Sequence, residues 1–307
     1  MATTRSPEDV AQQFIIVGCG YTGERVAKQL VALGPTVAIT RRGRVFEFPS
    51  LIWDLDATVP AGFSLSGIPA PYRVLYLVPP PAQGQDDPRI SRFLEASPEA
   101  SARIVYISTT SVYGDAGGAT VSEETPPAPI TDRARRRLTA ETTLRAWCES
   151  KNVDWVILRV PGIYGPGRLP LDHLRRGEPV LSDAESGPGN RIHVDDLAVA
   201  CIAAMTRPAA RNRIYNVGDG DHRSSTAFLT LVASLSGLPP PRQLPLEELK
   251  VHKSEAALSF LADARRADTS RLRRELGFTP CYATLEAGVQ ASFNESMRVN
   301  ECRVVVS

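Results

Sequence analysis

A short apolar segment that runs directly into three spaced glycines restricts the fold of this chain more than any other feature. Residues 14–17 (FIIV) form a continuous apolar run, as in a strand buried within a parallel sheet. Residues 18–23 (GCGYTG) follow at once, and residues 24–33 then carry apolar side chains at helical spacing up to Gly34-Pro35. The order of strand, glycine loop and helix predicts the first βα unit of a Rossmann sheet.

The G-x-G-x-x-G spacing gives each glycine a separate role. Gly18 permits the tight turn, Gly20 lets the backbone approach a pyrophosphate, and Gly23 lets the helix pack closely on the strand. The helix N-terminus adds unpaired N–H groups and a partial positive charge. We therefore predict that Gly18, Gly20, Tyr21, Thr22 and Gly23 bind a dinucleotide. The alternative is a glycine turn between strand and helix that holds no ligand.

Strand-like and helical segments alternate through the first half of the chain. Apolar, β-rich runs recur at residues 36–40, 51–53, 74–78, 103–108 and 153–160, and the last two are separated by a helical stretch at 131–150. This alternation predicts an α/β fold with a doubly wound parallel sheet. We expect residues 1–160 to form the dinucleotide-binding Rossmann domain, with residues 191–217 returning to it. Most of residues 161–307 would form a smaller C-terminal mixed α/β substrate domain.

The charge balance and composition disfavour several classes of partner. The 307 residues include 35 Lys plus Arg and 34 Asp plus Glu, which gives no reason to expect a nucleic-acid or anionic-membrane partner. The sequence has no uninterrupted apolar run of about 18 residues, so we expect no membrane-spanning helix. Residues 1–13 lack the apolar core of a secretory signal. Cysteines and histidines lack zinc-site spacing, so we expect no metal. We expect a cytoplasmic protein with a small-molecule substrate.

The end of the second predicted strand indicates which dinucleotide is bound. Thr40-Arg41-Arg42 stands where an acidic residue would accept a hydrogen bond from the 2′-hydroxyl of NAD. A guanidinium group suits a 2′-phosphate instead. We predict NADP as the preferred cofactor, with Arg41 as the first candidate and Arg42 as the second. The alternative is NAD, with both arginines as solvated surface charges.

Several further segments, taken in order and spacing, resemble the extended short-chain dehydrogenase/reductase family, also called the NAD-dependent epimerase/dehydratase family. Besides the glycine loop, they are residues 54–56 (DLD), 107–114 (ISTTSVYG), 158–167 (LRVPGIYGPG), 191–198 (RIHVDDLA), 215–218 (YNVG), 268–272 (DTSRL) and 276–278 (LGF). The resemblance implies a Rossmann fold and a nicotinamide-dependent reaction on a small carbonyl or nucleotide-sugar-like substrate.

The resemblance also implies roles for residues around the cofactor. Asp54 would reach the adenine amino group, with Leu55 beside the ring. Pro161 and Ile163 would lie near the nicotinamide carboxamide. For Asp54 the alternative is a helix cap or a turn residue.

On the substrate side, the resemblance implies that the Thr109 hydroxyl bonds the reacting oxygen. Ser111, Tyr164 and Arg191 would contact the substrate, and Arg191 would face a nucleotide-sugar phosphate. Two alternatives stay open. Thr109 could be a strand-end hydroxyl bonded to the backbone, and Arg191 could pair with one of the aspartates at 195–196.

The chain departs from the family at the Y-x-x-x-K motif, whose tyrosine is the acid/base and whose lysine lowers the tyrosine pKa. Aligning the family's K-x-x-x-E with Arg137 and Glu141 places Arg133 at the tyrosine position. Arginine stays charged and cannot act as a general acid or base. Arg137 is therefore expected to hold a ribose hydroxyl or an oxyanion, and Arg133 an anionic substrate group. We expect Arg135 and Arg136 to be solvated.

Two functional classes follow from this pattern. The first is an NAD(P)-dependent oxidoreductase or epimerase of the extended short-chain type, in which Thr109 holds the substrate oxygen. The alternative is a dinucleotide-binding sensor or interaction protein with little or no turnover, because the tyrosine is missing. Family members often pair through two long helices, one of which would be residues 131–150. Its arginines would repel each other across a two-fold axis, so both a monomer and a homodimer stay open.

Overall fold

Parallel β-strands flanked by helices make up the centre of the molecule. The computed structural model describes residues 12–293, except residues 62, 64, 66, 67, 69, 98–100, 254–257, 259–263 and 283. The strands are β1 (Gln13–Val17), β2 (Thr36–Thr40), β3 (Ser50–Ile52), β4 (Tyr72–Tyr76), β5 (Ser101–Thr109), β6 (Thr120–Val121), β7 (Asp154–Val160), β8 (Gly162–Tyr164), β9 (Val180–Leu181), β10 (Arg191–His193), β11 (Arg213–Asn216), β12 (Gln243–Leu244) and β13 (Arg266–Ala267). The helices are α1 (Tyr21–Leu30), α2 (Pro88–Ala96), α3 (Asp132–Lys151), α4 (Leu171–Arg175), α5 (Val194–Thr206), α6 (Ser225–Ser236), α7 (Leu246–Leu249), α8 (Ser270–Leu276) and α9 (Leu285–Phe293).

Seven of these strands form one sheet in the order β11-β7-β5-β4-β1-β2-β3, and neighbouring strands run parallel. The chain builds outward from β1 to β3 on one side and then from β4 to β11 on the other. The strand order therefore reverses between β1 and β4, which is where ligands bind in sheets of this kind. The doubly wound parallel sheet predicted from the sequence is confirmed.

The apolar run in β1 is explained by burial on both faces of the sheet. Phe14 and Ile16 belong to an apolar cluster that includes side chains of α1 and α5. Ile15 and Val17 belong to a second cluster, which includes side chains of α2 and α3. Since successive side chains of a strand point to opposite faces, every residue of this run must be apolar.

One helix beside the central sheet and one strand within it were not predicted as secondary structure. Helix α2 begins with Pro88, and the side chain of Asp87 accepts hydrogen bonds from the N–H groups of Arg89 and Ile90. This is a helix start signal. Strand β11 was noted only as a motif, although it pairs with β7 at the edge of the sheet.

Smaller elements surround one end of the sheet. Three two-stranded parallel pairs join β8 to β10, β9 to β12 and β6 to β13. A separate apolar cluster holds α6 and α9 together through residues such as Val232, Leu285 and Val289. In the described part of the chain, no helix combines the length and the apolar character that crossing a bilayer requires.

Candidate functional site

A cleft of about 720 Å³ opens at the carboxyl ends of β1, β2 and β4, where the strand order reverses. Most of the predicted cofactor-binding residues line it. They are Gly18, Gly20, Tyr21, Thr22, Gly23, Arg41, Arg42, Asp54, Leu55 and Ile163, joined by Arg137.

The three glycines of the loop differ in what surrounds them. Gly18 has a φ of +89°, and a Cβ atom there would lie 2.8 Å from a methyl group of Val78. A Cβ atom on Gly23 would lie 2.8 Å from the carbonyl oxygen of Gly18, whereas one on Gly20 would meet nothing within 4 Å. Gly20 is also the N-cap of α1 and offers no side-chain acceptor to its first turn. The loop thus leaves space and unpaired N–H groups for a pyrophosphate.

The two arginines after β2 lie at the edge of the cleft. The guanidinium of Arg41 is 3.7 Å from the carboxylate of Asp54, and both side chains are about half exposed. Asp54 also accepts a hydrogen bond from the N–H of Asp56 at 3.0 Å. This bond is typical of a turn residue, the alternative that the sequence left open for Asp54. No carboxylate of the described residues pairs with Arg42.

Two further arginines in the lining, Arg44 and Arg89, were not found by sequence reasoning. Arg44 pairs with Glu24 at 2.9 Å. Arg89 donates two hydrogen bonds, of 2.7 and 2.6 Å, to the carboxylate of Asp56, and this interaction lowers the pKa of Asp56. The sequence spacing of these two arginines did not predict their place in the cleft, because each reaches it only through the packing of its own segment.

Arg168, also missed, reaches the cleft from the loop that follows β8. Its guanidinium lies 4.2 Å from the ring centroid of Tyr21. The Tyr21 hydroxyl donates a hydrogen bond of 2.9 Å to the carbonyl of Pro166, which ties the same loop to the glycine loop. Arg25 lies 4.3 Å from the Tyr21 centroid and pairs with Asp195 at 3.3 Å. Tyr21 therefore joins the two loops that border the cleft.

Arg137, predicted to replace the family's lysine, lines the cleft. It donates a hydrogen bond of 2.5 Å to the carbonyl of Ile107 and a longer one, of 3.4 Å, to the hydroxyl of Tyr106. Its guanidinium is thus held against β5, where it borders the space available to a ligand.

A second cavity, of about 490 Å³, lies next to the cleft. The predicted residues that line it are Thr109, Ser111, Arg133, Pro161 and Arg191. Arg265, which was not predicted, also lines it.

Pro161 lines the second cavity, and its contact with the cofactor stays a prediction. It was expected beside the cofactor, but it faces the second cavity, and the chain enters the cleft only at Ile163. The boundary between the two spaces runs through this short segment, since Gly162 lines the second cavity and Ile163 lines the cleft.

Thr109 ends β5 and caps the short 3-10 helix Thr110–Tyr113. Its side-chain oxygen accepts a hydrogen bond of 3.2 Å from the N–H of Ser111. The backbone bond that was left open as an alternative is therefore present, and Thr109 also lines the second cavity. Because the hydroxyl acts as an acceptor in that bond, its hydrogen is available for donation.

Arg191 is only 7% exposed and is bonded to main-chain groups. It donates hydrogen bonds to the carbonyls of Arg223, at 2.7 Å, and Ser224, at 3.0 Å, and it lies 4.6 Å from the Phe228 ring centroid. The alternative of pairing with the aspartates at 195–196 is wrong, because those carboxylates bond to other groups. Arg191 holds the wall of the second cavity together.

Tyr164, predicted to contact the substrate, is buried in an apolar cluster. Its side chain is buried against His193 and Phe228, with ring centroids 5.3 and 5.7 Å away. A Cβ atom at Gly288 would lie only 2.2 Å from the Tyr164 hydroxyl, so α9 closes over it. It lines neither the cleft nor the second cavity. This burial follows from a long-range contact that local sequence does not contain, and the substrate contact stays a prediction.

The arginines of α3 divide between surface and interior. Arg135 is exposed and pairs with Asp132 at 2.7 Å, as expected of a solvated residue. The same expectation for Arg136 is wrong, because Arg136 is buried and donates a hydrogen bond of 2.9 Å to the carbonyl of Gly84. The loop before α2 covers that side of the helix, which the sequence pattern does not show.

A buried ion pair fixes α3 against the sheet. The side chains of Glu141 and Arg159 are each 3% exposed, and their charged groups are 2.7 Å apart. Ser108, the residue before Thr109, donates a hydrogen bond of 2.5 Å to Glu141. The Arg159 guanidinium also lies 4.7 Å from the ring centroid of Tyr113. This network holds α3 beside the carboxyl end of β5, which positions Arg133 and Thr109 on one cavity.

In the part of the chain that the structure describes, we looked for carboxylate, imidazole and thiol groups close enough together to hold a metal. Within residues 12–293, apart from the gaps given above, no group of three or more such side chains is arranged to hold an ion.

Comparison with known proteins gives a family match for part of the chain and a shared fold. The model of the NAD dependent epimerase/dehydratase family matches residues 91–218. Protein YeeZ of Escherichia coli strain K12 is 36% identical over 143 residues, which are 46% of this chain and 48% of YeeZ. The match thus spans about half of the relative's length.

Two solved structures have the same fold over nearly the whole chain. A conserved protein of unknown function from Silicibacter pomeroyi has a TM-score of 0.79 and 28% identity, covering 92% of this chain and 98% of that protein. The UDP-glucuronic acid 4-epimerase of Bacillus cereus, solved with NAD, has a TM-score of 0.72 and 18% identity, covering 92% and 97%. The resemblance drawn from the sequence motifs is confirmed at the level of a domain: residues 91–218 match the NAD dependent epimerase/dehydratase family.

Proposed function

We propose that this protein is an NAD(P)-dependent oxidoreductase or epimerase-like enzyme acting on a small carbonyl compound or a nucleotide-sugar-like substrate. One observation carries the proposal: the glycine-loop cleft and the second cavity share their boundary. Ile107 and Ile163 line the cleft, while Thr109 and Gly162, one or two residues away, line the second cavity. We propose that ligands in the two spaces meet at this boundary.

The residues of the cleft suit a nicotinamide dinucleotide. The open space at Gly20 and the first turn of α1 would hold its pyrophosphate, with the Arg168 guanidinium as a further positive charge. Asp54 and Leu55 would contact the adenosine. A nicotinamide bound at the inner end would supply or accept a hydride. We keep NADP as the preferred form, with Arg41 and then Arg42 as contacts for the 2′-phosphate.

The chain's own groups near the reacting centre are a hydroxyl and two guanidinium groups. Thr109 can donate a hydrogen bond to a substrate oxygen. Arg137, held on the carbonyl of Ile107, would contact a ribose hydroxyl. Since neither Arg133 nor Arg137 can exchange a proton, water would supply it.

The same geometry suggests which parts of the chain bind the cofactor and which bind the substrate. We propose that residues 1–160 and 191–217 bind the cofactor, because β11 completes the central sheet. Most of residues 161–307 would bind the substrate. Arg191 and Arg265, on the second cavity, lie in or beside strands that pair with β8 and β6.

A sensor that binds the dinucleotide without turnover is the second candidate, favoured by the arginine at position 133. The test is to measure binding of NADH and NADPH by calorimetry and then to follow cofactor absorbance with a panel of carbonyl compounds. The Gly20→Val variant is the control for cleft-dependent signals. Oxidation of bound cofactor by at least one compound supports the oxidoreductase, and conversion of a nucleotide sugar without net change in the cofactor supports the epimerase; either counts as turnover. Binding with no turnover across the panel supports the sensor, and no binding contradicts both.

A further inference from the structure

We propose that Tyr21 is a positioning residue for the cofactor: its ring holds the Arg168 guanidinium at the cleft, where Arg168 contacts the pyrophosphate. The inference rests on the proposed function and deepens it. Tyr21 belongs to the glycine loop, whose main-chain groups approach the cofactor. The geometry gives its side chain a separate role, which it exerts through a residue of a distant loop.

Two guanidinium groups contact the Tyr21 ring. The central carbon of the Arg25 guanidinium lies 4.3 Å from the ring centroid, and that of Arg168 lies 4.2 Å from it. At such distances the negative face of an aromatic ring attracts a cation. Arg25 also pairs with Asp195 at 3.3 Å and donates a hydrogen bond of 2.9 Å to the carbonyl of Tyr21. The ring is therefore supported by a side chain that is itself fixed between α1 and α5.

The guanidinium of Arg168 is oriented by the ring. Among the described residues, no carboxylate pairs with this guanidinium, and its contact is with Tyr21. A long arginine side chain has many rotamers in solution, so a ligand that fixes it must overcome the loss of conformational entropy. A guanidinium that already stacks on a ring has lost part of this freedom. Stacking on Tyr21 should therefore strengthen the contact between Arg168 and an anion in the cleft.

The main chain around Arg168 is held by the same tyrosine. The Tyr21 hydroxyl donates a hydrogen bond of 2.9 Å to the carbonyl of Pro166, and the N–H of Arg168 donates one of 3.0 Å to the carbonyl of Gly165. Gly165 has a φ of +149°, and a Cβ atom there would lie 2.7 Å from the Tyr21 hydroxyl. Both the φ and this close approach favour glycine at position 165. The ring and the hydroxyl of Tyr21 thus contact successive parts of one turn, residues 165–168.

The place of this turn connects it to the pyrophosphate. Tyr21 is the first residue of α1 and follows Gly20, where we propose that the pyrophosphate lies. Gly20, Tyr21 and Arg168 line the same cleft. An anion in this space would meet the unpaired N–H groups of the first turn of α1. The Arg168 guanidinium would add a charge-assisted contact from a second loop.

The experiment measures the Kd by calorimetry for NADH, NADPH and ADP-ribose, which carries the pyrophosphate but no nicotinamide. Tyr21→Leu and Tyr21→Gln remove the ring, Tyr21→Phe keeps it, and each ringless change is also combined with Arg168→Ala. The control is Phe46→Leu, because the Phe46 ring contacts another guanidinium of the cleft lining, that of Arg44, at 5.0 Å, but Arg44 is also held by Glu24 at 2.9 Å. Each titration is repeated from about 20 to about 300 mM NaCl, and melting temperatures show that the variants are folded.

We expect the ringless variants to bind the ligands about threefold to tenfold more weakly than the wild type, with Tyr21→Phe between them and the wild type. Phe46→Leu should bind like the wild type. In the Arg168→Ala background, removal of the ring should change the affinity by less than about twofold, because the two residues act as one unit. The salt dependence of binding should weaken in Arg168→Ala and also in the ringless variants, although these lose no charge. A tyrosine that only stabilised the fold would leave the salt dependence unchanged.

Ringless variants with wild-type affinity or wild-type salt dependence, or losses that multiply in the double variants, would overturn the proposal and leave the proposed function standing. Binding of ADP-ribose with the expected coupling, but of neither NADH nor NADPH, would instead reject the proposed function and leave the role of Tyr21 standing. A wild type that binds none of the three ligands would contradict both.

Discussion

Arg133 and Arg137 lie one helical turn apart on α3, yet they line different spaces. Arg137 borders the glycine-loop cleft and donates a hydrogen bond to the carbonyl of Ile107. Arg133 lines the second cavity together with Thr109. One helix therefore presents a guanidinium to each of two spaces, at the positions that the sequence alignment predicts for the family's lysine and tyrosine.

Substitution of Gly20 by valine should abolish dinucleotide binding without unfolding the protein. A Cβ atom at this position would meet no protein atom within 4 Å, and its φ of −98° is negative. The added methyl groups would fill the space proposed for the pyrophosphate. Calorimetric titration with NADH and NADPH checks the first expectation and the melting temperature checks the second. A folded variant with wild-type affinity would show that the loop does not hold the cofactor.

Replacement of Arg168 by alanine should weaken dinucleotide binding by about tenfold to a hundredfold, because a charge-assisted contact to the pyrophosphate is lost. Arg175→Ala is the matched control, since Arg175 is exposed, pairs with Asp172 at 2.9 Å and lies outside the cleft lining. The affinity for adenosine, which has no phosphate, should change little in either variant. Equal losses of NADH affinity in both would rule out a specific role for Arg168.

NADPH should bind more tightly than NADH, because the arginines after β2 border the cleft and one of them, Arg42, lacks a described carboxylate partner. Arg41→Ala and Arg42→Ala should each reduce this preference while affecting NADH less. Competitive titration of the two cofactors measures it. Equal affinities, or tighter NADH binding, would assign the site to NAD.

The stability of the protein should fall as the pH rises through neutrality, through Asp196. Its side chain is buried, and burial raises the pKa of this carboxyl to about 7. The folded state thus favours the neutral acid, so the stabilising contribution is complete below the ordinary pKa near 4 and disappears as pH passes 7.

Asp196→Asn keeps a neutral group at this place. Between pH 5 and 8 the free energy of unfolding of the wild type should therefore fall by roughly 2 kcal/mol more than that of the variant. Urea unfolding across this range measures the difference, and the exposed Asp172→Asn variant controls for the loss of one carboxylate. Parallel pH profiles for the wild type and Asp196→Asn would contradict the expectation.

Local pattern was sufficient to predict the sheet and the glycine loop. Residues 18–23 lie in the cleft because strand, turn and helix are contiguous, so their spacing already contains the geometry. The predicted strand at 74–78 is found at 72–76, and α3 begins within one residue of its predicted start. Helix α2 was missed although the start signal Asp87-Pro88 stands in the sequence.

Residues that reach the site from distant segments could not be predicted in the same way. The bond between Tyr21 and Pro166, which brings the Arg168 loop to the cleft, spans 145 residues. Arg265 reaches Gly114 across 151 residues. Tyr164 shares its motif with Ile163, but α9 buries it where Gly288 leaves room for its hydroxyl. Such placements depend on tertiary packing, which one sequence does not encode in its spacing.

A crystal structure of the protein grown in millimolar NADPH tests the central claim most directly. The account predicts a dinucleotide in the cleft, with its pyrophosphate over Gly20 at the N-terminus of α1 and its 2′-phosphate beside Arg41 or Arg42. A cleft that stays empty, or that the protein's own side chains fill, would contradict it.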